Sequence, residues 1–237
     1  MSELPEAATA TRVSACRLAA VDEPWPFANA HRAAIEAHWQ RALSERPKLF
    51  NGTIYLMRDY ALAGDVMSAT LFRTDFKDFL YWREHERDDT TLDAFGASVI
   101  RSAEGHVLLG VQSAGHLNAG LAYPPSGMID ADDERDGTID IEASIVRELR
   151  EETGLEPATL DRVPGFVLVR QGPFVAIAIE WQSREPASEL RRRILAHNEA
   201  QQEPELADIV IVREVADLDR YPMQSHVPPL LRFLLSA

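Results

Sequence analysis

Residues 144–155 constrain the fold of this chain more than any other stretch. Their sequence, SIVRELREETGL, predicts an amphipathic helix that ends at Gly154. Because residues three or four positions apart share a helix face, Glu148, Glu151 and Glu152 are expected to lie together. Like charges on one stripe cost roughly a few tenths of a kcal/mol per pair, and a bound cation would reverse that penalty. On this pattern alone, a solvated helix face with surface glutamates stays an open alternative.

The composition favours a globular, acidic protein. The 237 residues are 46% hydrophobic and 26% charged, and the formal net charge is -14. Such a charge disfavours binding of a nucleic-acid polymer, which needs a basic surface, but a divalent cation can still bridge an acidic site to a phosphate. With Cys16 as the only cysteine, neither an intrachain disulfide nor a cysteine-rich zinc site is possible.

The N-terminus predicts no targeting segment. The first ten residues, MSELPEAATA, lack the basic start and apolar run of a signal peptide, and we expect them to form a frayed tail. No apolar run approaches the roughly 20 residues that a membrane helix needs. We therefore expect a cytoplasmic protein that does not contact a membrane.

Helix and strand patterns alternate along the chain and predict a mixed α/β fold, with a mixed sheet between helical layers. We expect a helix over residues 28–45, a β-hairpin about Gly64 and a short helix after Asp75. Helices are also expected over residues 140–153, 188–202 and 227–235, with strands at GFVLVRQ, FVAIAIEW and DIVIV. A change of composition near residue 92 predicts an N-terminal subdomain, residues 1–92, and a second domain, residues 93–237.

The string RELREETGL, residues 147–155, resembles the second half of the Nudix box at all seven specified positions. The full box reads Gly-x5-Glu-x7-Arg-Glu-(apolar)-x-Glu-Glu-x-Gly-(apolar). An apolar strand pattern, HVLLGVQ, precedes it, and YPPSG is similar to the stretch with which such boxes open. With Gly127 as the opening glycine, the resemblance covers about residues 95–212.

This resemblance implies a Nudix-type α/β/α sandwich, preceded here by an N-terminal α/β extension. It implies a hydrolase of phosphoanhydride bonds (a pyrophosphatase) that uses Mg²⁺ or Mn²⁺ to cleave a nucleoside diphosphate linked to another group X. Carried over residue by residue, Glu151 and Glu152 would be metal ligands, Glu148 a ligand or the base, and Arg147 the residue that orients these carboxylates. The implied partner is a small nucleotide derivative, and relatives are often homodimers.

The first half of the box departs from the family pattern. Counting back from Arg147, the first glutamate would fall at Ile139. The neighbouring Asp140 either replaces it or caps the helix, and we favour the cap. The loop after Gly127 is six residues too long, and we assign the excess to the acidic stretch DADDERD, residues 130–136, expected to be mainly solvated. Asp130, Asp140 or no residue would then replace the glutamate.

The same acidic loop resembles part of a calcium EF-hand. Acids stand at positions 1, 3 and 5 from Asp132 and Gly137 stands at position 6, but Ala143 occupies position 12 and no helix enters the loop. A calcium-binding interaction protein is therefore a third hypothesis. A Nudix-fold module that binds a nucleotide without hydrolysing it is the second, because the first half of the box is irregular.

Three further residues are candidates for the site. Glu205, in the loop before a predicted strand, is expected to be an additional base or ligand, with Glu203 as the next choice and a plain polar loop as the alternative. Substrate recognition usually needs an aromatic ring and a cation for phosphate. Tyr123 and Arg170 are candidates for these two roles, although packing roles explain them equally well.

Overall fold

The fold is a mixed α/β arrangement, seen in a computed structural model that describes residues 8–85, 87 and 90–236. The helices in this part of the chain are α1 (Pro26–Ala30), α2 (Arg32–Glu45), α3 (Phe76–Glu84), α4 (Ile141–Thr153), α5 (Ala187–Glu199) and α6 (Val227–Leu235). Its strands are β1 (Thr9–Val13), β2 (Ala15–Val21), β3 (Thr53–Ala63), β4 (Val66–Asp75), β5 (Asp93–Arg101), β6 (Val107–Gln112), β7 (Ala122–Tyr123), β8 (Ser126–Met128), β9 (Glu134–Arg135), β10 (Thr138–Ile139), β11 (Asp161–Arg162), β12 (Phe166–Gln171), β13 (Phe174–Gln182) and β14 (Leu206–Val212). The prediction of a mixed α/β fold is confirmed.

The larger sheet has nine strands and a central order β1-β12-β13-β5-β6-β14. The pairing of β13 with β5 is parallel, whereas β12 with β13 and β14 with β6 are antiparallel. The short strands β7, β8 and β11 extend β6, β5 and β13, respectively. Because β8 lies beside β5, the loop that follows β8 is held next to helix α4.

Helices cover both faces of this sheet. On one face, Ile145 and Leu149 of α4 and Leu190 of α5 pack in a buried cluster with Leu168 and Ile177. On the other face, three leucines of α6 pack against the alternate residues of the same strands, Val167, Val169 and Ala176. Side chains of a strand alternate between its two faces, so this division explains the nearly continuous apolar runs of β12 and β13.

The second sheet has five strands in the order β3-β4-β2-β10-β9. An aromatic core lies against it and includes Trp25, Phe72, Phe79 and Trp82. Strand β9 lies within the acidic stretch and β10 follows it, and Thr138 of β10 pairs with Ala19 of β2. The loop before α4 is therefore attached to the sheet built from the first part of the chain.

Most predicted elements occur close to their expected bounds, with two differences. The helix expected over residues 28–45 is divided at His31 into α1 and α2. The frayed tail is wrong for Thr9 and Ala10, because β1 pairs with β12 from Thr9 onward; residues 1–7 lie outside the described residues. No helix in the described ranges is long and apolar enough to cross a membrane.

Candidate active site

Helix α4 has a cap and a stop that fix its position. The Asp140 carboxylate accepts a hydrogen bond from the Ala143 N–H at 3.0 Å, which confirms the predicted N-cap. Gly154 ends the helix with φ 65°, a left-handed conformation that glycine adopts without strain. Ile145 and Leu149 are fully buried, and the glutamate stripe lies beside them on the helix surface.

The three box glutamates occupy different environments. Glu152 is 4% exposed, and its Oε1 accepts a hydrogen bond from the Ser126 N–H at 3.1 Å. Its Oε2 is buried and has no partner among the described residues. The side chain of Glu148 is 13% exposed and that of Glu151 is 62% exposed. The stripe therefore runs from the protein interior to solvent.

Arg147 connects this stripe to the acidic loop. Its Nη1 lies 2.8 Å from Glu148 Oε1, and its Nη2 lies 3.0 Å from Asp133 Oδ1 and 3.2 Å from Asp130 Oδ2. Burial lowers the pKa of Arg147, but the surrounding Asp133, Glu148 and Asp130 outweigh it and raise this pKa above its usual value. The guanidinium therefore contacts both Glu148 and the acidic loop, and its role in orienting the box carboxylates stays a prediction.

The expectation of a mainly solvated acidic loop holds for residues 131, 132, 135 and 136, which are exposed, but is wrong for Asp133. Asp133 is 2% exposed and accepts hydrogen bonds from the Ser144 hydroxyl at 2.9 Å and the Asp130 N–H at 3.1 Å. With Asp130 it forms a capping box around a short 3₁₀ turn, residues 131–133. Asp132 alone of the three is exposed, as predicted.

Asp133 also stands at the position of the first acidic residue of the box. It is the sixth residue after Gly127, the place of the glutamate in Gly-x5-Glu. The extra residues are 134–139, and they form the β9–β10 hairpin. The Asp140 N–H donates to the Asp133 carbonyl oxygen at 2.8 Å, which closes this hairpin at its base. The insertion is thus 134–139 instead of 130–136, and neither Asp130 nor Asp140 takes the place of the glutamate.

The EF-hand interpretation of the loop is wrong. A strand, β8, precedes the loop instead of an entering helix, and a 3₁₀ turn and a hairpin occupy it. Position 12 of the expected loop, Ala143, belongs to the first turn of α4.

Gly127 lies in close contact with the side chain of Glu148. A Cβ atom on Gly127 would overlap the carboxyl carbon and Oε1 of Glu148. Residue 127 has no side chain, and this leaves room for the Glu148 carboxylate beside strand β8. The glycine therefore sets where the Glu148 carboxylate lies.

The electrostatics of the stripe favour a bound cation. Burial is the main cause that raises the pKa of Glu148 to about 7. Arg147 lowers this pKa, whereas Glu151, Glu205 and Asp133 raise it. Burial also raises the pKa of Glu152 well above its usual value, with added repulsion from Glu148 and Glu205. A divalent cation would relieve this repulsion and give the unpartnered Glu152 Oε2 a ligand. The residues present therefore fit such an ion.

The three box glutamates are not arranged to bind one metal ion together. No group of three His, Cys, Asp or Glu side chains within the described residues is arranged to hold an ion. Glu148 is paired with Arg147, Glu152 is bonded to Ser126, and Glu151 is exposed. Joint ligation by all three would require their side chains to rotate.

Glu205 and Tyr123 lie near this stripe. Burial raises the pKa of Tyr123, and Glu152, Glu205 and Glu148 raise it further. Both residues line the same cleft as Glu148, and Glu203 lines it too. Glu203 differs in being 70% exposed and paired with Lys48 at 2.9 Å. The structure therefore brings Glu205, rather than Glu203, close to the box glutamates.

Arg170 is placed differently. Its guanidinium lies over the ring of Tyr60, 5.3 Å from the centroid, and its residue pairs with Thr9 of β1. It is not among the described residues that line the cleft. Its substrate-binding role stays a prediction.

The cleft has a volume of about 720 Å³ and two walls from different parts of the chain. One wall contains Tyr123, Gly127, Glu148 and Glu205, and the other contains residues before position 90: Lys48, Leu49, Phe50, Gly52, Thr53, Ile54, Phe76, Phe79 and Arg83. Sequence reasoning missed Asp133 and Arg83. The spacing Asp130-x-x-Asp133, typical of a capping box, was a usable signal for Asp133; no local pattern marks Arg83.

Residues 90–230 match the family model described as the NUDIX domain, and the chain therefore belongs to the Nudix family. Its members hydrolyse pyrophosphate bonds, act on small nucleotide derivatives and generally use a divalent cation, so the chain is a hydrolase of this kind. This confirms the predicted family and enzyme class.

Several solved structures are similar to part of this chain at low identity. RenU, a Nudix hydrolase from M. smegmatis, is 17% identical, with 61% of this chain and 85% of that chain covered and a TM-score of 0.38. The MutT protein from Methanosarcina mazei Go1 is 18% identical, with 60% and 92% covered and a TM-score of 0.41. An Ap4A hydrolase from C. elegans is 17% identical, with 60% and 93% covered and a TM-score of 0.42. Comparison with curated proteins gives no match.

Proposed function

We propose that the chain is a Mg²⁺- or Mn²⁺-dependent pyrophosphohydrolase that cleaves a nucleoside diphosphate linked to a group X into two monophosphate products. The observation that carries this proposal is the buried, unpartnered Glu152 Oε2 beside Glu148 on the box helix. A carboxylate oxygen in that position is costly without a cation or a proton. Hard oxygen ligands of this kind suit Mg²⁺ and Mn²⁺.

The proposed cation ligands are Glu148, Glu151 and Glu152. When bound, the cation supplies neutralisation of charge on the phosphate oxygens and a lowered pKa of bound water. Arg147 holds the Glu148 carboxylate through its Nη1, 2.8 Å away, and the Ser126 N–H holds that of Glu152. Preorganised groups of this kind lower the cost of reaching the transition state.

Two carboxylates are placed to take the proton of the attacking water. Glu148 is one, as the alternative to its role as a cation ligand. Glu205, which lines the same cleft, is the other. Loss of either should reduce turnover, and the pH dependence of the remaining activity separates the two roles.

The N-terminal residues 1–92 form, in this proposal, a subdomain that completes the cleft opposite the residue 93–237 domain. Tyr123 supports the substrate from the glutamate wall, whereas Arg170 would act only outside the cleft as it stands. A homodimer and a cytoplasmic location stay predictions.

A substrate panel tests the proposal directly. Dinucleotides, nucleotide sugars and dNTPs are incubated with the protein and Mg²⁺, and monophosphate or phosphate release is measured. We expect turnover of at least one class, its loss with a chelator, and its loss in the Glu151→Gln/Glu152→Gln variant with an unchanged circular-dichroism spectrum. Glu156→Gln is the matched control, since Glu156 is 60% exposed and paired with Arg150 just beyond α4. Normal turnover by the double variant would remove this helix as the metal site.

The nucleotide-sensor alternative has lost its motivation. It rested on the irregular first half of the box, and Gly127 with Asp133 restores that half. Binding of the panel compounds without any turnover would return it to consideration.

A further inference from the structure

The cleft that contains the box glutamate Glu148 is also lined by an arginine from α3. Arg83 stands in the last turn of this helix and lines the cleft together with Glu148 and Glu205. It precedes residues 90–230, so it lies outside the part of the chain that matches the family model. The residue is half-buried, whereas most arginines of this chain are on its surface.

The guanidinium of Arg83 has a neutral partner. Its Nη2 donates a hydrogen bond to Asn118 Oδ1 at 2.7 Å, and none of the ion pairs between described residues includes it. Burial lowers the pKa of Arg83, while Asp93 nearby raises it and Arg87 lowers it. An arginine stays protonated under all ordinary conditions, so the cleft holds a partly dehydrated positive charge. Five N–H donors are available on a guanidinium, and Asn118 uses one of them.

Arg83, Tyr123 and the box glutamate Glu148 line the same cleft. Burial raises the pKa of Tyr123 most, and the charges of Glu152, Glu205 and Glu148 raise it further. The charge of Arg83 lowers this pKa. An extended diphosphate could contact the glutamate wall through a cation at one phosphate and a positive side chain at the other.

We propose that Arg83 binds the substrate phosphate that lies farther from the box glutamates, so that the N-terminal part of the chain supplies the anion-binding end of the cleft. The inference rests on the proposed function for the identity of the ligand. A planar guanidinium forms two parallel hydrogen bonds to a phosphate, which fixes the orientation as well as the position of the group. Asn118 acts as the positioning residue that holds the guanidinium at the wall.

A purely structural role makes a different prediction. If the Arg83–Asn118 hydrogen bond only ties α3 to the loop after β6, removal of Arg83 lowers the midpoint of thermal unfolding but leaves the affinity of the folded protein for phosphate compounds unchanged. Binding and stability must therefore be measured on the same variants.

The test is calorimetric titration of the full chain with Mg²⁺–pyrophosphate. The variants are Arg83→Gln, Arg83→Lys and the control Arg41→Gln, which removes an exposed arginine on α2. Loss of a charge-assisted hydrogen-bond pair should weaken pyrophosphate binding by about tenfold to a hundredfold in Arg83→Gln. Arg83→Lys keeps the charge without the planar fork and should weaken binding several-fold, whereas Arg41→Gln should bind as the wild type does.

The outcomes separate this inference from the proposed function. The inference is overturned if a folded Arg83→Gln variant binds pyrophosphate with wild-type affinity. If Arg83→Gln does not fold, wild-type affinity in Arg83→Lys overturns it instead. Absence of pyrophosphate binding by the wild type would overturn it as well. If the wild-type chain hydrolyses a panel compound and the KM of Arg83→Gln is unchanged, the inference fails and the proposed function stands. If no panel compound is hydrolysed but Arg83→Gln still loses pyrophosphate affinity, the function fails and the phosphate site stands.

Discussion

Arg147 donates hydrogen bonds from Nη2 to both carboxylate oxygens of Asp133, at 3.0 and 3.2 Å. This pair joins helix α4 to the loop that follows Gly127. Since the same guanidinium contacts Glu148, the position of a catalytic carboxylate depends on a residue in the loop. Asp133 therefore takes both the sequence position of the first box glutamate and a structural role in the site.

Asp133→Asn should destabilise the fold, because it leaves the Arg147 charge without its most buried partner. The aspartate is 2% exposed but the arginine side chain is 30% exposed, so we expect a loss of about 2–3 kcal/mol of unfolding free energy, below the range for a fully buried pair. Urea denaturation measures this. Asp132→Asn, one residue earlier and exposed, should change the value by less than about 0.5 kcal/mol; equal losses in both variants would contradict the assigned role of Asp133.

The sequence predicted helix α4 well because its signals are local. The capping residue Asp140, the apolar spacing of Ile145 and Leu149 and the stop at Gly154 all act within a few turns of one helix. The closing helix α6 was predicted with its observed bounds, Val227–Leu235, for the same reason. The three glutamates follow directly from that helix.

Asp133 and Arg83 could not be predicted in this way. Counting back from Arg147 along the chain assumes a continuous connection, whereas residues 134–139 leave the loop as a hairpin and return at Asp140. Counting forward from Gly127 would have reached Asp133. Arg83 reaches the cleft only because α3 and the loop containing Asn118 pack together, a long-range contact that no local pattern encodes.

Glu152→Gln should weaken cation binding without weakening the fold. The amide removes a buried negative charge that lies near Glu148 and Glu205, so the unfolding free energy at neutral pH should be equal or higher. Mg²⁺ affinity should fall by about a hundredfold, since even outer-shell changes cost about tenfold to a hundredfold. Calorimetry with Mg²⁺ measures the first effect and urea denaturation the second. Unchanged Mg²⁺ affinity would argue against Glu152 as a ligand; Glu156→Gln, exposed beyond the helix, is the control.

Gly127→Ala should displace the Glu148 carboxylate, because the added Cβ overlaps its carboxyl group. A shift of about 1 Å in a reacting group can cost about a hundredfold in rate, so we expect a kcat lower by about that factor. Gly52→Ala is the control in the same cleft: its Cβ would lie 3.2 Å from a ring carbon of Phe50, a side chain that is 81% exposed and can move. Steady-state kinetics on both variants measures the effect, and a similar kcat for the two would refute the steric argument.

Glu205→Gln should lower kcat more than Glu203→Gln. General base catalysis contributes about a hundredfold to ten-thousandfold, and Glu205 is the loop carboxylate that interacts with Glu148 and Glu152. Glu203 is paired with Lys48 at an exposed site, so its change should leave kcat nearly unchanged. Kinetic measurements with pH profiles of both variants test this. A large loss in Glu203→Gln alone would reverse the assignment.

Asp93→Asn should change how stability depends on pH. Burial raises the pKa of Asp93 to about 6, although the nearby charges of Arg83 and Arg87 lower it. A carboxyl group whose folded-state pKa is raised stabilises the native state below its unfolded pKa, and this stabilisation is lost as pH rises through 6. The unfolding free energy of the variant minus that of the wild type should therefore increase by up to about 3 kcal/mol between pH 4 and pH 7. Urea denaturation of both proteins across this range measures the difference, with Asp132→Asn as the exposed control. A difference that does not vary with pH would mean that Asp93 titrates alike in the folded and unfolded chains.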